Sequence, residues 1–138
     1  MADPSLAETL VALAHRDAHA FTLLAGSPQM DDSLVGFHAQ QAVEKALKAV
    51  LSHGAVRYRR THDIAELLDL LADAGLDAPP HADRLDELNP YAVEYRYGLI
   101  DPTGLDRDAT AGLLSDVLTW ADHAIQTVLP EGDEASGA

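Results

Sequence analysis

Three stretches of the 138-residue chain gather the side chains that can do chemistry. The first is Phe37-His38-Ala39-Gln40-Gln41-Ala42-Val43-Glu44-Lys45-Ala46-Leu47-Lys48. Its His38, Gln41, Lys45 and Lys48 stand at i, i+3, i+7 and i+10, so at roughly 100° per residue they form one stripe of a helix. The stripe holds both lysines of the chain. It reads either as a solvated face or as a polar groove for an anion or a partner. The second stretch is Arg57-Tyr58-Arg59-Arg60-Thr61-His62-Asp63, which packs three of the nine cations into four positions just before a predicted helix start. Free N–H groups and the helix dipole favour a phosphate there. Arginine forks match phosphate oxygens, and Tyr58 can stack on a base. The competing reading has Thr61 or Asp63 capping the helix while the arginines pair with nearby carboxylates. In the third stretch, Tyr91 to Gly98, three of the four tyrosines bracket Arg96. Either these are core aromatics or Arg96 reaches the same site as Lys45 and His62, with Tyr95 and Tyr97 closing it.

Composition narrows the chemistry. The chain has no cysteine, which excludes a thiolate metal site and a cysteine nucleophile. Nine Lys+Arg against 23 Asp+Glu leave a net charge of −14, so sequence-independent coating of nucleic acid is disfavoured and any anion needs a local cationic site. His15 and His19 have i, i+4 spacing but no accompanying metal-binding motif. There is no Gly-rich phosphate loop and no Gly-x-Ser-x-Gly elbow. Neither a metal nor a cofactor is expected. No apolar run approaches the roughly 18 residues of a membrane span. Met1-Ala2-Asp3-Pro4 lacks the basic start of a signal peptide, so a cytoplasmic protein without membrane contact is expected.

The elements that must position these residues are helices. The chain holds 24 Ala and 21 Leu but only 11 Val plus Ile, which favours an all-α fold over a sheet. Ser5-Leu6-Ala7-Glu8 reads as a capping box opening a helix over 5–25. Its face is Leu6, Leu10, Leu13, Asp17, Phe21 and Leu24, apolar except for Asp17. Asp31-Asp32-Ser33 starts a second helix running to about 53, capped by Gly54, with Val35, Ala39, Ala42, Val43, Ala46 and Val50 as its core arc. A basic linker covers 55–60. A third helix follows Asp63 and ends near Gly75. A fourth spans about 81–97, kinked or split at Pro90. The last, capped by Thr103, Asp106 or Asp108, runs to about 129. An acidic, disordered tail over 130–138 completes the chain, leaving one domain over 5–129. Short loops between amphipathic helices imply an antiparallel up-and-down bundle of four to five helices.

The first two stretches, with Thr61-His62-Asp63-Ile64-Ala65-Glu66-Leu67-Leu68 continuing the second and Tyr95-Arg96-Tyr97 following, resemble the prokaryotic HEPN domain. The resemblance spans about residues 6–129. It implies a helical bundle, a homodimer and a minimal nucleotidyltransferase as partner, in some cases as a toxin–antitoxin pair. Other branches of the family are metal-independent RNases built on an arginine followed, after four to six residues, by a histidine. Arg57 and His62 match that string. In nuclease members, however, the motif lies near the last helices, and here no histidine follows Arg96 until His123. The resemblance therefore implies a module that binds a nucleotide or phosphate ligand through His38, Gln41, Lys45, Lys48, Arg57, Arg59, Arg60, His62, Tyr95, Arg96 and Tyr97. The alternative is an RNase toxin, in which Arg57 stabilises phosphorane charge and His62 moves the proton. A further alternative is an assembly module without a ligand. For the dimer, Phe37, Leu47 and Leu51 lie outside the core arc of the second helix and offer a contact face, together with the largely apolar last helix.

Overall fold

The computed structural model describes residues 4–93 and 104–126. Five α-helices and one 3₁₀ turn account for the regular structure among them, and there is no strand. Helices α1 (Pro4–Ala25) and α2 (Asp32–His53) are followed by α3 (Ile64–Asp73), the 3₁₀ turn (Leu85–Leu88), the short α4 (Pro90–Val93) and α5 (Arg107–Gln126). None of the helices is long and apolar enough to cross a membrane.

Helix α2 is the centre of the bundle, packing against every other helix and the 3₁₀ turn. The predicted arc, Val35, Ala39, Ala42, Val43, Ala46 and Val50, is buried throughout. Leu47 and Leu51, expected to face a second copy, are also fully buried within the single chain. A helix surrounded by neighbours buries more than one face, so these two leucines complete the chain's own core. Phe37 remains half-buried and meets the His38 ring edge-on, 5.4 Å between centroids.

The start of α5 is bound to the loop that joins α1 and α2. The Arg107 guanidinium donates to Asp32 Oδ1 at 3.0 Å, to the Ala25 carbonyl at 3.2 Å, to the Ser27 carbonyl at 2.8 Å and to the Met30 carbonyl. One side chain thus satisfies the Ala25 carbonyl at the end of α1, which the helix cannot satisfy itself, and two carbonyls of the loop after it. At the middle of α1, His15 meets Asp122 of α5 at 2.9 Å. With Ala25 near Arg107 and His15 near Asp122, α1 and α5 run antiparallel.

One expectation about helix ends is corrected. Helix α1 begins at Pro4, so Ser5 lies in the first turn rather than capping it. Proline suits that first position because its missing N–H would be unsatisfied there anyway. The same rule remakes the predicted 81–97 helix. Of the two outcomes expected at Pro90, the split is the one found: Pro90 opens α4, and Leu85 and Leu88 sit in a separate 3₁₀ turn. Leu85, Leu88 and Ala92 still reach the core, since an i, i+3 pair stays on one side in 3₁₀ geometry as well. At the end of α2, Gly54 is the C-cap but has φ −84°, and the left-handed residue is Ala55, at φ 60°. Around it Val56 N–H donates to the Leu51 carbonyl at 2.9 Å and Ala55 N–H to that of Ser52 at 3.1 Å, a Schellman closure. Helix α3 ends the same way, with Gly75 in the left-handed position at φ 73°. Of the caps proposed for α5, Asp106 is the one used, its carboxylate accepting from Ala109 N–H at 3.0 Å. The predicted end of the last helix and the acidic tail lie outside the described residues.

Two turns of identical construction, one with alanine and one with glycine, allow a matched test. An alanine in the left-handed region pays a Cβ clash that glycine avoids. Ala55→Gly should raise stability by about 1 kcal/mol and Gly75→Ala should lower it by about the same, each shifting Tm by about 3–5 °C in calorimetry. A different glycine is needed for packing. A Cβ at Gly36 would lie well inside van der Waals contact of the buried Tyr91 ring. Gly36→Ala should therefore destabilise by about 1–3 kcal/mol in urea titration, through forced separation of α2 and α4.

Candidate functional site

The predicted stripe on α2 is present, but its cations already have carboxylates. His38 Nδ1 and Lys45 Nζ both contact Asp17 of α1, at 3.1 and 2.5 Å. Asp17 was the single polar position in the apolar face of α1, and its largely buried carboxylate turns toward α2. Directly before Lys45 on α2 lies Glu44, only 3% exposed. It accepts from Lys48 Nζ at 2.8 Å, Gln40 Nε2 at 3.0 Å and His62 Nδ1 at 2.8 Å. Gln40 also donates to the His62 carbonyl at 3.1 Å, and its own oxygen accepts from Gln41 at 2.7 Å. Glu44 thus ties α2 to the segment before α3. Spacing around it carried a trace of this, because Gln40, Glu44 and Lys48 follow one another at i, i+4 intervals.

Burial by itself pushes the Glu44 carboxyl up. Hydrogen bonds from Lys48, Gln40 and His62, with the Lys48 charge, outweigh burial and hold it below the usual carboxylate range. An ionised carboxylate only accepts, so Nδ1 of His62 carries its proton. That leaves Nε2 as the other functional atom of a side chain 51% exposed, and it has no partner among the described residues.

In the basic stretch the residues separate by role. Tyr58 is half-buried, with the Lys48 ammonium over its ring at 5.7 Å and its hydroxyl 3.3 Å from Ser52 Oγ. One face of the ring predicted to stack on a base is therefore occupied by a cation. Arg59 forms a two-pronged bond to Glu66, at 2.7 and 2.8 Å, although its side chain is 73% exposed. Arg57 and Arg60 are exposed and have no ion-pair partner among the described residues. The start of α3 is not an open anion site. Asp63 Oδ1 accepts from Ala65 N–H at 3.0 Å, and Asn89 Oδ1 accepts from Ile64 N–H at 2.9 Å. Two of the amides that were to greet a phosphate are occupied, and the Asp63 charge opposes an anion. Tyr95, Arg96 and Tyr97 lie outside the described residues.

With this geometry established, comparison places the chain. The HEPN domain family model matches residues 8–125, and the chain belongs to the HEPN family. Its fold is similar to the crystal structure of ST0689, an archaeal HEPN homologue, with TM-score 0.63 and 22% identity over 86% of this chain and 97% of that one. No curated protein matches the chain.

The position of Glu44 makes a pH-dependent prediction. A carboxyl held below its ordinary value of 4.5 contributes stability that is complete above that value and is lost as pH falls through the lowered one. Glu44→Leu leaves the Lys48 ammonium without its carboxylate and should cost about 3 kcal/mol at pH 7 in denaturant unfolding. Below pH 4.5 the gap between parent and variant should narrow as the parent carboxyl is protonated. A gap unchanged from pH 7 to pH 3 would show that Glu44 acts by packing alone.

Proposed function

We propose that this HEPN domain binds a phosphate-bearing ligand, a nucleotide in the first place, at the surface formed by Arg57, Arg60 and His62, and that it works with a nucleotidyltransferase partner. The observation that carries the reading is the pair of unmatched arginines. Lys45, Lys48, Arg59, Arg84 and Arg107 all meet carboxylates; of the exposed arginines without an ion pair among the described residues, Arg16 stands alone on α1, whereas Arg57 and Arg60 share one short segment in a chain with a surplus of fourteen negative charges. His62 follows two residues after Arg60 in the same segment and is oriented by Glu44. The partner and any toxin–antitoxin role follow from the family resemblance rather than from this geometry. Lys45 and Lys48 act here as internal counter-ions that shape the site, and the ligand phosphate is met by the loop arginines.

ATP and inorganic phosphate titrated in a calorimeter should bind more tightly at low salt. Arg57→Ala/Arg60→Ala should weaken binding at least about tenfold with the bundle intact. An absence of heat and of thermal shift with both ligands would favour the assembly module instead.

A second reading has a specific feature in its favour. A histidine held at Nδ1 by a buried carboxylate, with Nε2 left over, is arranged as a proton-transfer group, as the metal-independent RNase reading requires. Cleavage of RNA in EDTA that both His62→Ala and Arg57→Ala abolish would establish it. The proposal here is that purified wild-type protein alone shows no such cleavage.

A further inference from the structure

A groove of about 410 Å³ runs along α3, the turn after it and the residues leading into the 3₁₀ turn. Its lining is of one chemical kind: alanines and leucines, with Asp69, Asp83 and Asp86, and no basic or other polar side chain. Leu68 and Leu76 are half-buried in it, while the three aspartates are exposed. None of the three has a side-chain partner among the described residues. This separates them from Asp17, Asp32, Glu44, Glu66, Asp116 and Asp122, each of which meets a cation or a histidine.

We propose that this groove is a docking surface for a basic amphipathic helix supplied by another protein. An apolar strip between the elements takes side chains at i, i+3 and i+7 of such a helix, the spacing that helix-in-groove recognition uses. The aspartates then meet lysines or arginines flanking that apolar face. Bringing cations beside three unpaired carboxylates is favourable, and the surrounding −14 field accelerates the approach. The same charges argue against the other occupants. A second copy docked about a two-fold axis would set these aspartates against their own equivalents. The chain's C-terminal stretch carries Glu131, Asp133 and Glu134 and no cation. The groove is separate from the Arg57, Arg60 and His62 surface, so the inference stands whether or not a phosphate binds there.

The test uses a synthetic peptide of about 18 residues, leucines at i, i+3, i+4 and i+7 and lysines elsewhere, titrated into the full chain at about 0.15 M salt. A second peptide of the same composition has its order scrambled to destroy the apolar face. Two triple variants of equal net charge are compared: Asp69→Asn/Asp83→Asn/Asp86→Asn in the groove, and Glu8→Gln/Asp31→Asn/Asp108→Asn away from it. Circular dichroism checks that both fold. The groove variant should bind the ordered peptide at least about tenfold more weakly than the parent, the distant variant within about twofold, and the scrambled peptide should bind the parent at least about tenfold more weakly. Equal losses in the two variants, equal binding of the two peptides, or no binding by the parent would each overturn the proposal. So would light scattering that shows a dimer whose contact protects the groove from the peptide, which would identify a second copy as the occupant.

Discussion

A single carboxylate, buried at the middle of α2, sets the position of nearly everything that gives this domain its polar character. Glu44 has lost its water, and a charge in that position persists only if donors replace the lost hydration. Lys48 and Gln40 come from its own helix, and His62 comes from the segment before α3. The last of these has the widest consequences. It draws the chain back onto α2 after the Schellman turn at Ala55, so the intervening arginines are carried on a loop held at both ends. Gln40 strengthens the same closure by donating to the His62 backbone. A loop fixed in this way presents Arg57 and Arg60 at lower entropic cost than a free one would.

The rest of the charge arrangement follows from an excess of acid. Asp17 neutralises Lys45 and orders His38, while Asp32 and three carbonyls hold Arg107. These contacts differ in weight. Partly buried groups such as Asp17 and Arg107 join distant parts of the chain, and losing one partner would strand the other. The Arg59–Glu66 pair is exposed, and solvent screens most of its energy. Lys45, Lys48 and Arg107 are matched internally, and apart from the lone Arg16 on α1 the arginines without an ion pair among the described residues, Arg57 and Arg60, share the loop. The unmatched carboxylates around α3 form a separate surface of opposite sign. The molecule therefore carries two chemically distinct faces, although its composition suggests only uniform acidity.

Much of the fold was legible in the sequence. Periodicity located α1, α2, α3 and α5 and the buried arc of α2, because helical spacing is a local property that one stretch reveals without its neighbours. Asp17 was visible as the polar interruption of an apolar face, and Asp63 and Asp106 as available caps. The division at Pro90 was also legible in kind: a residue without an N–H interrupts a helix, although whether it kinks one or opens another depends on what surrounds it.

What the tertiary structure alone decided is which groups meet. Asp17 with Lys45, Glu44 with His62, His15 with Asp122 and Arg107 with the α1–α2 loop join positions between 18 and 107 residues apart. No local spacing encodes such pairs. For the same reason the stripe of His38, Gln41, Lys45 and Lys48 was legible as a stripe but not as a neutralised one. Leu47 and Leu51 looked spare for as long as α2 was imagined with one buried face, and packing on several sides gave them partners within the chain. Sequence by itself determined the helices and their apolar faces, since these arise from residues a few positions apart. The tertiary structure decided which charges remain available, since availability depends on partners that only folding brings within a few ångströms.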